Sequence, residues 1–288
     1  MLFKKRHIIF LLLYLSVICG SKAGNTEDTL TVLRPVTSSY SISSGDAEIA
    51  DTYLSPIIYD GWNIGFQYSR MQAMKFSPRK WVMELQVNVD GGRGRNKAHN
   101  SELWQANVNL NWGMMRRWPL TSKLTLGFGG HTGIEGGAIY LKRNGNNPVA
   151  AKASWTIGIK AYATYPIKIG RLPVMLRWTG SLPISGIFFS PDYGELYYEI
   201  WLGNHSGLVH AAWPGNYFGL DNTVSADLCL GTTWLRIGYR SHVLSTKVND
   251  ITTRIITNSF LLGISTEWIS LSPRKSVRPN VKIISSIY

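Results

Sequence analysis

Cysteine is almost missing: the 288 residues contain two, Cys19 and Cys229. Long apolar runs are also missing beyond residue 23, where nothing approaches the roughly twenty apolar residues a membrane-crossing helix needs. Metal-binding motifs are lacking too. There is no His-Glu-x-x-His, no Cys-x-x-Cys, and the six histidines are scattered. Carboxylates are few, 17 against 30 Lys+Arg. These gaps exclude a disulfide-stapled domain and a helical membrane protein, and they leave no metal, cofactor or catalytic set to assign.

The first residues do carry a signal. Lys4, Lys5 and Arg6 precede an apolar run from Ile8 to Ile18, and Ser21-Lys22-Ala23 follows. About eleven apolar residues are too few to span a bilayer but suit a secretory signal peptide, residues 1–23. A lipoprotein reading through Cys19 is weakened by bulky Ile18 before it. Cleavage after Ala23 removes Lys4, Lys5, Arg6 and Lys22, leaving 26 basic against 17 acidic residues and one cysteine. For an exported chain this basic excess points to anionic lipid headgroups and lipopolysaccharide phosphates before nucleic acid.

The clearest pattern is Trp104 to Trp112, where Trp104, Ala106, Val108, Leu110 and Trp112 alternate with Gln105, Asn107, Asn109 and Asn111. In a strand this gives one apolar face and one face of amides. Eight steps of about 3.3 Å, tilted near 40°, cover about 20 Å of membrane, with an indole at each interface. Similar alternation recurs at 62–69, 81–90, 154–165, 174–184, 218–230 and 260–268. Such strands are longer than the five or six residues usual in soluble domains. Their polar rows hold amides, hydroxyls and glycines rather than a Lys/Glu coat.

The expected fold is therefore all-β: a transmembrane antiparallel up-and-down barrel over residues 36–268 of about twelve strands, with ten as the alternative. A loose segment (24–35) precedes it and a polar tail (269–288) follows. Twelve is preferred because the short connections near 116–120, 166–170, 203–207 and 231–233 then all fall on the periplasmic side. The alternating residues Glu195 to Leu202 are read as strand eight and Leu208 to Trp213 as strand nine. The competing fold is a secreted soluble β-sandwich binding protein.

Asp51-Thr52-Tyr53-Leu54-Ser55-Pro56, Gly113-Met114-Met115-Arg116-Arg117-Trp118, Arg143-Asn144-Gly145-Asn146-Asn147-Pro148, Ser190-Pro191-Asp192-Tyr193-Gly194-Glu195 and Ser245-Thr246-Lys247-Val248-Asn249-Asp250 resemble segments of an uncharacterised Gram-negative family. Its members are exported and carry a domain of unknown function. The resemblance covers about residues 37 to 268 and implies an outer-membrane barrel, without implying an activity.

Three sets of residues are candidates for a role. Facing the lumen are Glu84, Asp90, His131, Lys152, Lys160, Arg177, Glu195, Glu199, Asp221, Asp227, Arg236 and Arg240, either as a network closing the interior or as the wall of a narrow polar conduit or pocket for a small polar solute. Arg93, Arg95, Lys97, Lys142 and Arg143 sit in outer loops that touch lipopolysaccharide. The Gly-Arg run has no interleaved aromatic, so nucleic acid is not an expected partner. Trp62, Trp81, Trp104, Trp112, Trp155, Trp178 and Trp268 form aromatic girdles. The expected role is non-enzymatic, in a bacterial outer membrane reached through its insertion machinery. The alternative is a lipid or lipid A hydrolase using His131, the best-placed histidine. Gly127 to Thr132 imitates a phosphate loop but lies mid-strand, where glycines more often make room for a large neighbour.

Overall fold

The computed structural model describes residues 31–145, 147–269 and 281–287. The expected signal peptide, residues 24–30 of the segment after it and residues 270–280 of the tail lie outside them. Ten long antiparallel strands close on themselves: β2 (Val36–Asp51), β3 (Ser55–Ala73), β4 (Trp81–Arg95), β5 (Glu102–Pro119), β6 (Thr125–Leu141), β7 (Val149–Ile169), β8 (Leu172–Phe189), β10 (Tyr217–Cys229), β11 (Thr233–Val248) and β12 (Ile251–Trp268). Each pairs with the next. β12 returns to β2, and β8 pairs with β10 from Val174↔Leu228 to Ser181↔Asp221, so no barrel strand keeps a free edge. Closure satisfies the backbone without water, which is what permits strands in hydrocarbon. Among the described residues no helix is long and apolar enough to cross a membrane.

Ten strands correct the preference for twelve. Residues 195–202 are not a strand but a loop carrying a single helical turn, α1 (Tyr197–Trp201). The expected ninth strand is only β9 (Val209–Ala212), which pairs with the tip of β8. Both belong to one connection between β8 and β10. Removing two strands keeps the parity of all the others, so the turns near 120, 170 and 231 still share one end. The connection near 203–207 moves to the opposite end.

The end holding the first and last described segments, β1 and residues 281–287, is called the terminal end here, and it has turns of 74–80, 120–124, 170–171 and 230–232. The opposite, outer end has the long 190–216 connection and one very tight hairpin, where Asn249 and Asp250 both take left-handed φ (50° and 59°). Two successive left-handed residues are what a two-residue hairpin turn demands, and Asn and Asp tolerate that region better than other side chains. At the terminal end β1 (Thr31–Leu33) pairs in parallel with β13 (Val281–Ile283). Neither segment was expected to form a strand.

Outward positions are apolar and exposed, including Ile42, Ile64, Phe66, Val108, Phe260 and Leu262. Inward positions are polar in the middle of the barrel but apolar near both ends. At the outer end Ile49, Tyr59, Leu103, Ile139, Phe188 and Leu244 belong to one buried cluster. At the terminal end Met71, Val82, Met115 and Tyr162 form another, joined by Ile287. Gly127 faces inward against the Tyr162 ring, and a methyl group there would lie 1.9 Å from a ring carbon. The glycine makes room for that ring.

Candidate functional site

Between the two apolar clusters the lumen holds the charges that alternation had placed there. Glu84 is buried beneath two cations, with Arg177 Nη2 at 2.5 Å and Lys160 Nζ at 3.0 Å. Ser69 donates to the same carboxylate, and Lys160 also donates to Gln86. Arg236 makes a two-pronged contact with Asp227 at 2.7 Å and donates to Ser39. Arg240 reaches Asp221 at 2.6 Å on one side and Asp90 at 3.0 Å on the other. Lys152 pairs with Asp51 at 2.6 Å near the outer end. Planar guanidinium forks and carboxylates match in this way, and each buried charge is compensated by an opposite one.

Ten of the twelve proposed lumen residues therefore lie inward. The exceptions are Glu195 and Glu199, which sit in the outer connection. Glu195 accepts from Asp192 N–H at 3.0 Å and from Asn204 at 2.8 Å, and Glu199 accepts from Leu196 N–H, capping α1. Sequence reasoning overlooked Asp51, Glu135 and His242. Glu135 is engaged by Asn107 at 2.7 Å, and His242 Nδ1 lies 3.5 Å from Asp221. Alternation would have found Glu135, one position from outward-facing Ile134.

His131 is buried, with Nδ1 3.0 Å from the Ile159 carbonyl. Among the described residues no hydroxyl or thiol is hydrogen-bonded to it, which is what a hydrolase nucleophile would require. No cluster able to hold a metal is found among them either. A small polar cavity of about 30 Å³ lies beside His131, lined also by Asn88, Asn111, Asp221 and His242.

The outer end is capped by side chains from three connections. Tyr53 donates to the Glu195 carbonyl at 2.6 Å and accepts from Asn147. The Tyr197 hydroxyl accepts from Ala151 N–H at 2.6 Å, and burial pushes its pKa up to about 12. The terminal end is latched by Arg117, which donates to the carbonyls of Ser285 (2.8 Å), Ser286 (3.3 Å) and Pro78. Ser286 in turn bonds Thr37 and the Met71 carbonyl.

Arg93 and Arg95 belong to β4 rather than to a flexible loop, and both pair with Glu102. Arg93 also lies over the Trp104 ring, 5.1 Å from its centroid. Lys97, Lys142 and Arg143 are exposed in loops at the same end. Of the proposed girdle, Trp62, Trp104, Trp112, Trp155, Trp178 and Trp268 are exposed on the barrel wall and Trp81 is partly so. Trp62 and Trp104 meet edge to face. Trp155 donates to Thr132 and Trp178 to Asn222, so both indoles are satisfied without water.

A closed barrel with an apolar outer wall and a filled polar interior defines an outer-membrane β-barrel protein, in contact with the lipid bilayer. Within that class the chain belongs to the family described as protein of unknown function (DUF3316), whose model matches residues 7–275. No curated protein matches the chain. Similar solved structures include the outer membrane protease OmpT from Escherichia coli, at 7% identity and a TM-score of 0.37, covering 81% of this chain and 97% of that one. The outer membrane protein OprG from Pseudomonas aeruginosa is similar at 8% identity and a TM-score of 0.24, covering 84% and 99%. The COG4313 outer membrane channel from Pseudomonas putida F1 is similar at 9% identity and a TM-score of 0.31, covering 86% and 100%.

Proposed function

We propose that this protein is a sealed, non-enzymatic barrel that acts at the cell surface rather than as an open conduit. One observation carries the reading: a charge-paired middle layer is enclosed between the Ile49–Leu103–Ile139 cluster and the Met71–Met115–Tyr162 cluster. A small polar solute could enter only if one of these clusters came apart. Well-folded protein in planar bilayers is expected to give no steady conductance. Reproducible ohmic channels from the wild-type protein would overturn the proposal.

The partner at the outer end is proposed to be lipopolysaccharide. Arg93 and Arg95 share a single carboxylate, Glu102, which leaves one excess positive charge beside the Trp62–Trp104 pair. Lys97, Lys142 and Arg143 add to it from the loops. Reversing the charge of two such cations is expected to weaken binding of isolated lipopolysaccharide by about tenfold or more. Arg93→Glu/Arg95→Glu protein that binds as tightly as wild type would remove this partner. Delivery by the outer-membrane insertion machinery is proposed on the same grounds as the fold.

A further inference from the structure

The molecule's charge is unevenly distributed along the barrel axis. Acidic and basic residues alternate at the outer end: Arg254 pairs with Glu48, Arg93 and Arg95 share Glu102, and Lys152 pairs with Asp51. The terminal end is different. Its turns carry Lys75, Arg79, Lys80, Lys123 and Arg171, and the end of β7 carries Lys168, all exposed. None of the six pairs with a carboxylate among the described residues. The one carboxylate described there outside the lumen is Glu267, which accepts from Ser285.

Large apolar side chains stand among these cations. Phe76 is 64% exposed and Ile169 is 61% exposed. Phe76 lies against Trp81, and Arg116 lies over the Trp118 ring at 5.4 Å. All of these side chains lie on short connections or at strand ends: residues 170–171 form a two-residue turn, 120–124 has five residues and 74–80 has seven. Phe76, in the longest of the three, is held to the wall by Trp81. Cations thus stand at the end of the apolar outer wall, beside side chains that favour acyl chains. A soluble acidic partner would account for the cations but not for exposed Phe76 and Ile169.

We propose that the terminal end is a binding surface for anionic phospholipid. These six cations take the phosphates while Phe76, Trp118 and Ile169 enter the adjoining acyl layer. Unpaired cations near a membrane surface draw anionic lipid strongly, and the attraction is screened by salt.

The test uses mature protein in phosphatidylcholine bilayers containing spin-labelled phosphatidylglycerol or spin-labelled phosphatidylcholine. At low salt the motionally restricted population is expected to favour phosphatidylglycerol by at least about threefold. Lys75→Gln/Arg79→Gln/Lys80→Gln/Lys123→Gln/Lys168→Gln/Arg171→Gln is expected to bring that ratio close to one. Lys142→Gln/Arg143→Gln, at the opposite end, is expected to keep it. Heat-dependent gel mobility reports whether each variant is folded. Should the sixfold variant not fold, loss of the wild-type preference in high salt serves in its place. Equal association of both lipids with wild type overturns the proposal, and so does a preference that survives the sixfold change or high salt. Capture of soluble polyglutamate without any lipid preference assigns the surface to an acidic protein and also overturns it.

Discussion

Glu84→Ala is expected to destabilise the barrel by on the order of 3–5 kcal/mol, the usual cost of stranding a buried charge. Here two cations are stranded, since Arg177 and Lys160 both point at this carboxylate. Neither side chain can reach solvent easily, because Arg177 is 5% exposed and Lys160 is 2% exposed. Urea unfolding in vesicles, followed by tryptophan fluorescence, measures the loss. Glu84→Gln keeps the volume and one acceptor, so its loss should be smaller. Glu84→Leu/Lys160→Met/Arg177→Met is expected to recover most of the stability, since apolar side chains of similar size often replace a buried ionic group without loss. A Glu84→Ala variant within about 1 kcal/mol of wild type would mean that ions or water reach the site, and the sealed interior would be lost as an idea.

The second large effect is expected from removing the final eight residues, 281–288. The deletion takes Ile287 from the terminal cluster and the Ser285 and Ser286 carbonyls from Arg117. Partial burial of an isoleucine and two bonds to a charged donor together suggest a loss of about 2–4 kcal/mol. The barrel strands themselves do not include these residues, so heat-dependent gel mobility should persist at lower denaturant concentration. Conductance should remain absent because the outer cluster is untouched. A deletion variant of unchanged stability would show that the tail is not part of the fold, and a conducting one would locate the only seal at the terminal end.

The barrel was legible wherever one wall faces hydrocarbon and the other faces polar groups. Trp104 to Trp112 shows this best, and Glu84, Asp90, Lys160, Arg177, Arg236 and Arg240 all point the way alternation said they would. Residues 195–202 misled because Leu196, Tyr198, Ile200 and Leu202 alternate within a segment that forms α1. A helical turn of five residues is too short to show a 3.6-residue period. Its local cue was Glu199 three places after Leu196, which caps the turn from within. The apolar ends of the lumen were hidden for another reason. Ile49, Leu103 and Ile139 lie on the inward face, yet near strand ends they look like irregularities rather than like a layer. Only strand register brings them to one level. The tail was unreadable because its partners, Thr37, Met71 and Arg117, are more than 150 residues away along the chain.

The parallel pairing of β1 with β13 has a consequence for how the molecule is made. β1 starts at residue 31 and β13 ends at residue 283, so this mini-sheet cannot form before residue 283 has been made and delivered. A chain delivered from its N-terminus can close its cylinder when β12 meets β2, but the mini-sheet waits for residues 281–283. Docking of this segment thus follows closure, and a chain stopped before residue 281 would leave Arg117 and the Met71–Tyr162 cluster without the partners it brings.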